Sequence, residues 1–330
     1  MHKLNQADYA LLTRLFQYSE NELLAMMNSL LKRYYDKVYY QKGKYLFAVS
    51  NESKIGVVAH CDTVFYTQPR VEGIYYDPRK NVMWSPEGLG ADDRAGVFLI
   101  LKLLQNKIRP NIILTQGEES GGLGAQELIK VFPKNDFNLK FLIQLDRRNS
   151  NDCVFYSCNN PEFTKKIESY GFVEKTGSFT DISFIAPAWG IAATNLSVGY
   201  VNEHTKQEHL YITDMMNTLN KVKRIFRDEE TLPKYEYIES EWEKGYGRAY
   251  AYGYDISFKQ EKCPDCKSEV DANYDGIPVY NKKGVLEYYC PECFSKICGT
   301  LNWCSCCGMP YLTDDKGTNV CPQCIKEGLV

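Results

Sequence analysis

Five short polar clusters, each beside an apolar run, carry the residue types that hold divalent cations. GVVAHCDTVF brings His60 and Asp62, GLGADDRAG brings Asp92 and Asp93, LTQGEESGG brings Glu118 and Glu119, FLIQLD ends in Asp146, and VNEHTKQEH carries His204 and His209. Imidazole and carboxylate are borderline and hard ligands, and the C-terminal edge of an α/β sheet is where such folds keep their sites. The chemistry open to them is the activation of water. A metal lowers the pKa of the water, a second centre or donor receives charge on the attacked carbonyl oxygen, and a base takes the proton. Two histidines and three carboxylates can hold a pair of metals if one carboxylate bridges, and two of the four histidines in the chain fall where this scheme needs them. Taken singly, each residue has a plainer reading. An aspartate at a strand end is often a turn former, paired glutamates before glycines suit the positive end of the next helix, and a loop histidine can be solvated. It is the ordered set that carries the metal reading. His209, and Glu208 beside it, stay open between substrate contact, alternative ligand and surface residue.

A second chemistry is written in the cysteines. Ten of the thirteen lie after residue 262, and eight of those form four CxxC pairs. Cys263 and Cys266 with Cys290 and Cys293 make one set of four thiolates, and Cys304 and Cys307 with Cys321 and Cys324 make another. Two tight turns of this kind supply the tetrahedron that structural zinc requires, so two four-cysteine zinc ribbons are expected, with a cross-braced pairing between the two sets as the alternative. Cys298 reads as a bystander, and Cys306 could replace a neighbour. Cys61, Cys153 and Cys158 read as small buried apolar residues rather than activated thiols.

These groups need elements to position them. Residues 7–17 and 20–34 show apolar spacing of three and four, with Ser19 as the N-cap of the second, and predict a helical hairpin. YLFAVS and IGVVAH predict strands, the second delivering His60, and VMW a short one. DRAGVFLILKLLQNK predicts a helix from Asp93, NIILTQG a strand, SGGLGAQELIK a helix and LKFLIQLD a strand ending at Asp146. An edge strand at 153–156, helices at 161–170 and near Asp181, a core strand in IAATNLSVGY and a last helix capped by Thr213 complete the first domain. This alternation specifies an α/β fold with a mostly parallel central sheet covered by helices on both faces. The expected organisation is a catalytic domain over 1–227, an acidic, tyrosine-rich linker over 228–262, and the ribbons over 263–330. The tyrosines of the linker suggest that it lies against a protein surface.

In the order and context of its clusters the chain resembles the co-catalytic zinc exopeptidases, a superfamily of aminopeptidases, carboxypeptidases, tripeptidase T and related deacylases. HCDTV matches its HxD, GLGADDRAG its bridging-aspartate segment, GEESGG its paired glutamates, Asp146 its strand-end ligand and NEHT its last histidine. The resemblance covers about residues 40–226. It implies that His60 and Asp146 hold one zinc, Glu119 and His204 the other, with Asp92 bridging. It implies too that Glu118 is the general base, that Asp62 orients His60 through its second ring nitrogen, and that the Asp92–Asp93 peptide is cis. The gaps of 32 residues from His60 to Asp92 and 58 from Asp146 to His204 leave no room for the lid domain that several branches insert. The expected activity is hydrolysis of peptide or N-acyl amide bonds, most like an aminopeptidase, with two catalytic and two structural Zn2+ and a peptide or acyl-amino-acid as substrate. The alternative is a catalytically silent peptidase fold whose ribbons recognise a protein or nucleic acid. Arg94, Arg147 and Arg148, next to proposed ligands, could hold a substrate carboxylate or serve as salt-bridging residues.

Composition bounds the partners. The net charge is −3 over 330 residues, and the stretch 256–330 has 8 lysines against 10 acidic residues, a net of −2. Neither gives the basic field that nucleic acid requires, so the ribbons are expected to stabilise the chain or to bind protein. The first residues, MHKLNQADYALLTRLF, are interrupted by polar residues too often for a secretory apolar stretch, and no apolar run approaches the length of a membrane span, which makes the cytoplasm the expected location.

Overall fold

A computed structural model of the chain describes residues 4–239, 260–271, 277–297, 300–304, 310–313 and 319–326. The chain divides into two units, Met1–Lys244 and Gly245–Val330.

The first unit opens with the helical hairpin α1 (Gln6–Gln17) and α2 (Glu20–Leu31). Ser19 caps α2 reciprocally: its hydroxyl accepts from the Glu22 N–H while the Glu22 carboxylate accepts from the Ser19 N–H at 2.9 Å. This satisfies two donors that a helix start otherwise leaves bare. The strands β1 (Lys37–Gln41), β2 (Tyr45–Val49) and β3 (Ile55–His60) follow, then β4 (Tyr75–Asp77) and β5 (Val82–Trp84). Helix α3 (Ala91–Gln105) leads to β6 (Asn111–Thr115), α4 (Leu123–Val131), β7 (Phe141–Arg147), β8 (Asp152–Val154), α5 (Pro161–Glu168) and β9 (Val173–Glu174). Helix α6 (Ile182–Trp189), β10 (Ala193–Ser197), β11 (Tyr200–Val201), β12 (His209–Tyr211) and α7 (Ile212–Arg227) complete it.

Eight strands form the main sheet in the order β1-β2-β6-β3-β7-β10-β8-β9. Its centre, β6-β3-β7-β10, is parallel, whereas β1, β2 and β8 join antiparallel to their inner neighbours. The central strands are apolar throughout because both faces are covered. Val57, Ala59, Ile112, Leu114 and Ile143 face a core with Phe98 and Leu99 of α3 and with the hairpin, while their neighbours Val58, Ile113 and Leu142 face Ala125 and Leu128 of α4 and Ile182 and Ile185 of α6. Each fully buried Val, Leu, Ile or Phe among them contributes about 1.5–3 kcal/mol relative to exposure. Residues 232–239 belong to this unit and pack on its sheet and α5. Tyr235 is buried with its ring centroid 5.1 Å from that of Phe163, and Glu236 bridges Ile191.

Two local expectations are corrected. The strand at 152–154 is not at the sheet edge, because β9 pairs beyond it. The last helix begins at Ile212 with no side-chain cap, and the Thr213 hydroxyl instead accepts from the Asn81 amide at 2.8 Å. A small antiparallel sheet, β11-β12-β5-β4, joins segments far apart in sequence and sets the loop that carries His204.

The second unit contains β13 (Gln260–Lys262) paired with β14 (Glu269–Asp271), and a four-stranded sheet of β15 (Ile277–Tyr280), β16 (Leu286–Tyr289), β17 (Asn302–Trp303) and β18 (Pro310–Tyr311). Short helices α8 (Pro291–Ile297) and α9 (Pro322–Lys326) begin at the second cysteine pairs. Among the described residues no helix is long and apolar enough to cross a membrane.

Candidate metal centre

The parallel strands end on one edge of the sheet, and the sequence places ligand types at the ends of β3, β6 and β7. His60 is the last residue of β3, Asp62 follows it, Glu118 and Glu119 follow β6, and Asp146 is the penultimate residue of β7. Asp92 comes from the head of α3, and the last contribution from the β11–β12 loop, where His204 adopts a left-handed backbone, φ 63°.

These side chains converge. His60 Nε2 lies 3.0 Å from Asp92 Oδ1 and 3.4 Å from Asp146 Oδ1, while His204 Nε2 lies 3.2 Å from Asp92 Oδ2 and 3.0 Å from Glu119 Oε2. Asp92 thus turns one carboxylate oxygen to each histidine. Two donor groups share Asp92, His60–Asp92–Asp146 and Asp92–Glu119–His204, and a third is His60–Glu118–Glu119, each with its ligand atoms within 4.8 Å of one another. Asp62 faces the other ring nitrogen of His60 at 3.4 Å, and its second oxygen accepts from the Glu119 N–H at 3.1 Å. The donor set, a buried Glu119 Oε1 without a hydrogen-bond partner and the shared aspartate all fit divalent cations.

The electrostatics are those of a carboxylate cluster out of water. Burial alone would lower His60, but Asp146, Asp62 and Asp92 hold it well above its ordinary pKa. Hydrogen bonds to Asp92 and Glu119 push His204 up to about 11. Burial would raise Asp92, yet His204 and His60 hold its carboxyl well below the usual range. Glu118 is pushed up to about 10 by desolvation, which the neighbouring Asp146, Asp181 and Asp92 carboxylates reinforce against the lowering effect of His60. It opens on a cavity of about 260 Å³ that Asp92, Glu119, Asp146 and His204 also line.

Supporting contacts fix the set. The Asp92–Asp93 peptide is cis, as the resemblance implied, and both residues depart from helical geometry at the head of α3. Asp93 turns inward, accepting from the His60 N–H at 3.2 Å and the Gly96 N–H at 2.9 Å. A Cβ on Gly96 would stand 2.0 Å from the Leu145 carbonyl oxygen, so only glycine lets α3 close on β7 here. Asp146 accepts from Gln144 at 2.9 Å, Thr180 at 2.8 Å and Tyr200 at 3.1 Å.

Several site residues escape the sequence patterns. Glu208 is fully buried and accepts from the N–H groups of Gly90 at 2.6 Å, Ala91 at 3.1 Å and Asp92 at 3.1 Å, so it anchors the bridging aspartate rather than meeting solvent. His209 belongs to β12, and its ring meets the Gln207 carbonyl, not the donor groups. Of the three arginines, Arg94 is buried and donates to the carbonyls of Asp62 at 2.9 Å and Tyr18 at 3.0 Å, tying the site to the helical hairpin. Arg148 pairs with Glu203 at 2.8 Å, and Arg147 donates to the Thr176 carbonyl at 3.2 Å.

In the second unit, Cys263, Cys266, Cys290 and Cys293 form one cluster, and Cys304, Cys321 and Cys324 another. Cys307, expected to complete the second set, lies outside the described residues, as do Cys298 and Cys306.

No protein-family model matches the chain, and no curated protein matches it. Solved structures do. An aminopeptidase PepT from Bacillus cereus ATCC 10987 superposes with a TM-score of 0.51 at 16% identity, covering 69% of this chain and 99% of that one. A tripeptidase from Staphylococcus aureus subsp. aureus Mu50 gives 0.53 at 16% identity, covering 68% and 100%. The first unit shares their fold. The α/β architecture expected from the order of clusters is therefore present, with its parallel centre and helices on both faces.

Proposed function

We propose that the chain is a metal-dependent hydrolase of peptide or N-acyl amide bonds, most like an aminopeptidase. The observation that carries this is the pair of donor groups sharing Asp92, with Glu118 beside them at the cavity. His60 and Asp146 would hold one zinc, Glu119 and His204 a second, with Asp92 between. Two bound dications would supply a water acidic enough to be deprotonated at neutral pH and would offset the charge of the clustered carboxylates.

The remaining steps belong to the protein. Glu118, at the cavity and in the ionised form that the charge of the cations would favour, takes a proton from the water as its oxygen bonds to the scissile carbonyl carbon. The same proton passes to the leaving nitrogen as the C–N bond breaks. Asp62 holds His60 in one orientation through its second ring nitrogen. The likeness to an aminopeptidase and a tripeptidase supports an exopeptidase reading. A silent binding fold is disfavoured by the completeness of the donor set. We further propose a catalytic domain over 1–227, a linker over 228–262, and two structural zincs in 263–330, Cys307 completing the second. The ribbons are taken to stabilise the chain or to dock a protein, in the cytoplasm.

The test is Glu118→Ala assayed on amino-acid amides and short peptides beside metal analysis. Loss of a general base costs on the order of 10²–10⁴ in rate, with fold and cation content retained. Hydrolysis surviving the substitution, or a wild type inert to the whole panel, would refute the proposal.

A further inference from the structure

One wall of the same cavity is lined by a tyrosine that the scheme above does not use. Tyr156 follows β8 in a left-handed backbone, φ 52°, a conformation that a bulky residue adopts only where its surroundings impose it. Two contacts fix the ring. A Cβ on Gly177 would lie 3.0 Å from Tyr156 Cε1 and 2.9 Å from Val154 Cγ1, so the chain at Gly177 closes on the ring edge because it has no side chain. At the polar end, Asn195 Nδ2 donates to Tyr156 Oη at 3.0 Å.

The direction of that bond is fixed by chemistry. Asn195 Oδ1 accepts from the Asp146 N–H at 3.0 Å, which leaves the amide nitrogen facing the Asp146 carbonyl at 3.0 Å and the tyrosine oxygen. Tyr156 Oη therefore acts as acceptor toward Asn195 and keeps its own proton. Among the described residues nothing accepts that proton. Tyr200 is the instructive contrast, because its hydroxyl is used on the Asp146 carbonyl at 3.0 Å and carboxylate at 3.1 Å. Burial raises the Tyr156 phenol well above its ordinary value, so the group stays a donor through the working range.

We propose that Tyr156 is a catalytic hydrogen-bond donor to the carbonyl oxygen of the scissile amide, strengthening as negative charge gathers there. The inference rests on the amide-hydrolase reading of the metal centre. Tyr156 keeps its proton throughout. The water oxygen bonds to carbon, the C–N bond breaks, and the proton taken by Glu118 goes to the leaving nitrogen. Asn195 aims the phenol and, through its other contacts, couples it to the position of Asp146.

The experiment uses the full metal-loaded chain and Tyr156→Phe, which keeps the ring and removes one hydroxyl. Losing one such donor lowers kcat by about 10²–10³, with KM moved by less than the error of a typical fit. A phosphinic dipeptide analogue, which mimics the tetrahedral arrangement, loses affinity in parallel, while the product amino acid binds as in wild type and cation content is unchanged. Unchanged kcat in an active background overturns the proposal alone, as do equal losses of analogue and product affinity. A wild type that hydrolyses no member of the panel overturns the reading and the proposal together.

Discussion

Replacing Glu208 by alanine tests how the bridging aspartate is held. The carboxylate accepts from three successive N–H groups at the head of α3, those of Gly90, Ala91 and Asp92. These are first-turn donors with no partner inside the helix, and all three residues are buried. Leaving a buried donor unsatisfied costs about 1–3 kcal/mol. Three at the lower half of that range give a loss of about 3–6 kcal/mol. In a unit of this size each kcal/mol lowers Tm by roughly 2–4 °C, so Glu208→Ala is expected to melt about 6–24 °C below wild type. Glu208→Gln keeps one carbonyl oxygen, able to serve two donors, and presents an NH2 to the third, so it should fall between. Calorimetry in the presence of chelator isolates this from any cation effect. Cation affinity should fall in the same order, because Asp92 loses the anchor of its backbone. Alanine within about 2 °C of wild type, well inside the loss expected from unsatisfied donors, or glutamine no better than alanine, would refute the donor-count argument.

Gly96→Ala places a Cβ against the Leu145 carbonyl and the Asp93 carboxylate, so α3 must shift; a loss of at least about 1–3 kcal/mol is expected from urea unfolding, and unchanged stability would contradict the packing described. Zn2+ added to chelated protein should raise the melting temperature of the first unit by an amount set by RT ln(1 + [L]/Kd), about 4 kcal/mol at a thousandfold excess over Kd. His60→Ala should reduce that shift, and an equal shift in both proteins would place the cation elsewhere. Cys293→Ser should lower the zinc content by one per chain and destabilise the second unit, read by elemental analysis and limited proteolysis, with undiminished zinc as the contrary result.

The sequence exposes what lies beside an apolar run. IGVVAH, NIILT and FLIQLD are strands that can only be central, and parallel strands deliver their last residues to a common edge. His60, Glu118, Glu119 and Asp146 were therefore legible from type and position, and Ser19 from the glutamate three residues on. Glu208 was not, because VNEHTKQEH is polar throughout. Its burial comes from β12 pairing with β5, where His209 meets Trp84 across more than a hundred residues. Strands of two or three residues carry no periodicity, so that pairing leaves no local trace. Arg94 was ambiguous for the opposite reason, since nothing in DDRAG says that its guanidinium turns inward to two carbonyls. Tyr156 depended on a left-handed backbone at a residue that sequence patterns assign to extended structure.

Charge explains why the scaffold is so heavily committed around one edge. Asp93, Glu118, Asp146 and Asp181 are all raised, chiefly by burial, so an ionised cluster opposes folding unless cations or protons offset it. The fixed contacts do not remove that cost; they decide its geometry. Glu208 fixes the Asp92 backbone, Asn195 and Tyr200 fix Asp146, and Arg94 fixes the Asp62 segment; Asn195, Tyr200 and Arg94 sit in strands or a helix, and Glu208 directly precedes β12. A cluster held in this way cannot relax by spreading apart when cations leave. Apparent stability and cation concentration should therefore be tightly linked in the first unit. Weakening one anchor, as in Glu208→Ala, would let the carboxylates separate and should flatten that dependence as well as lower the melting temperature.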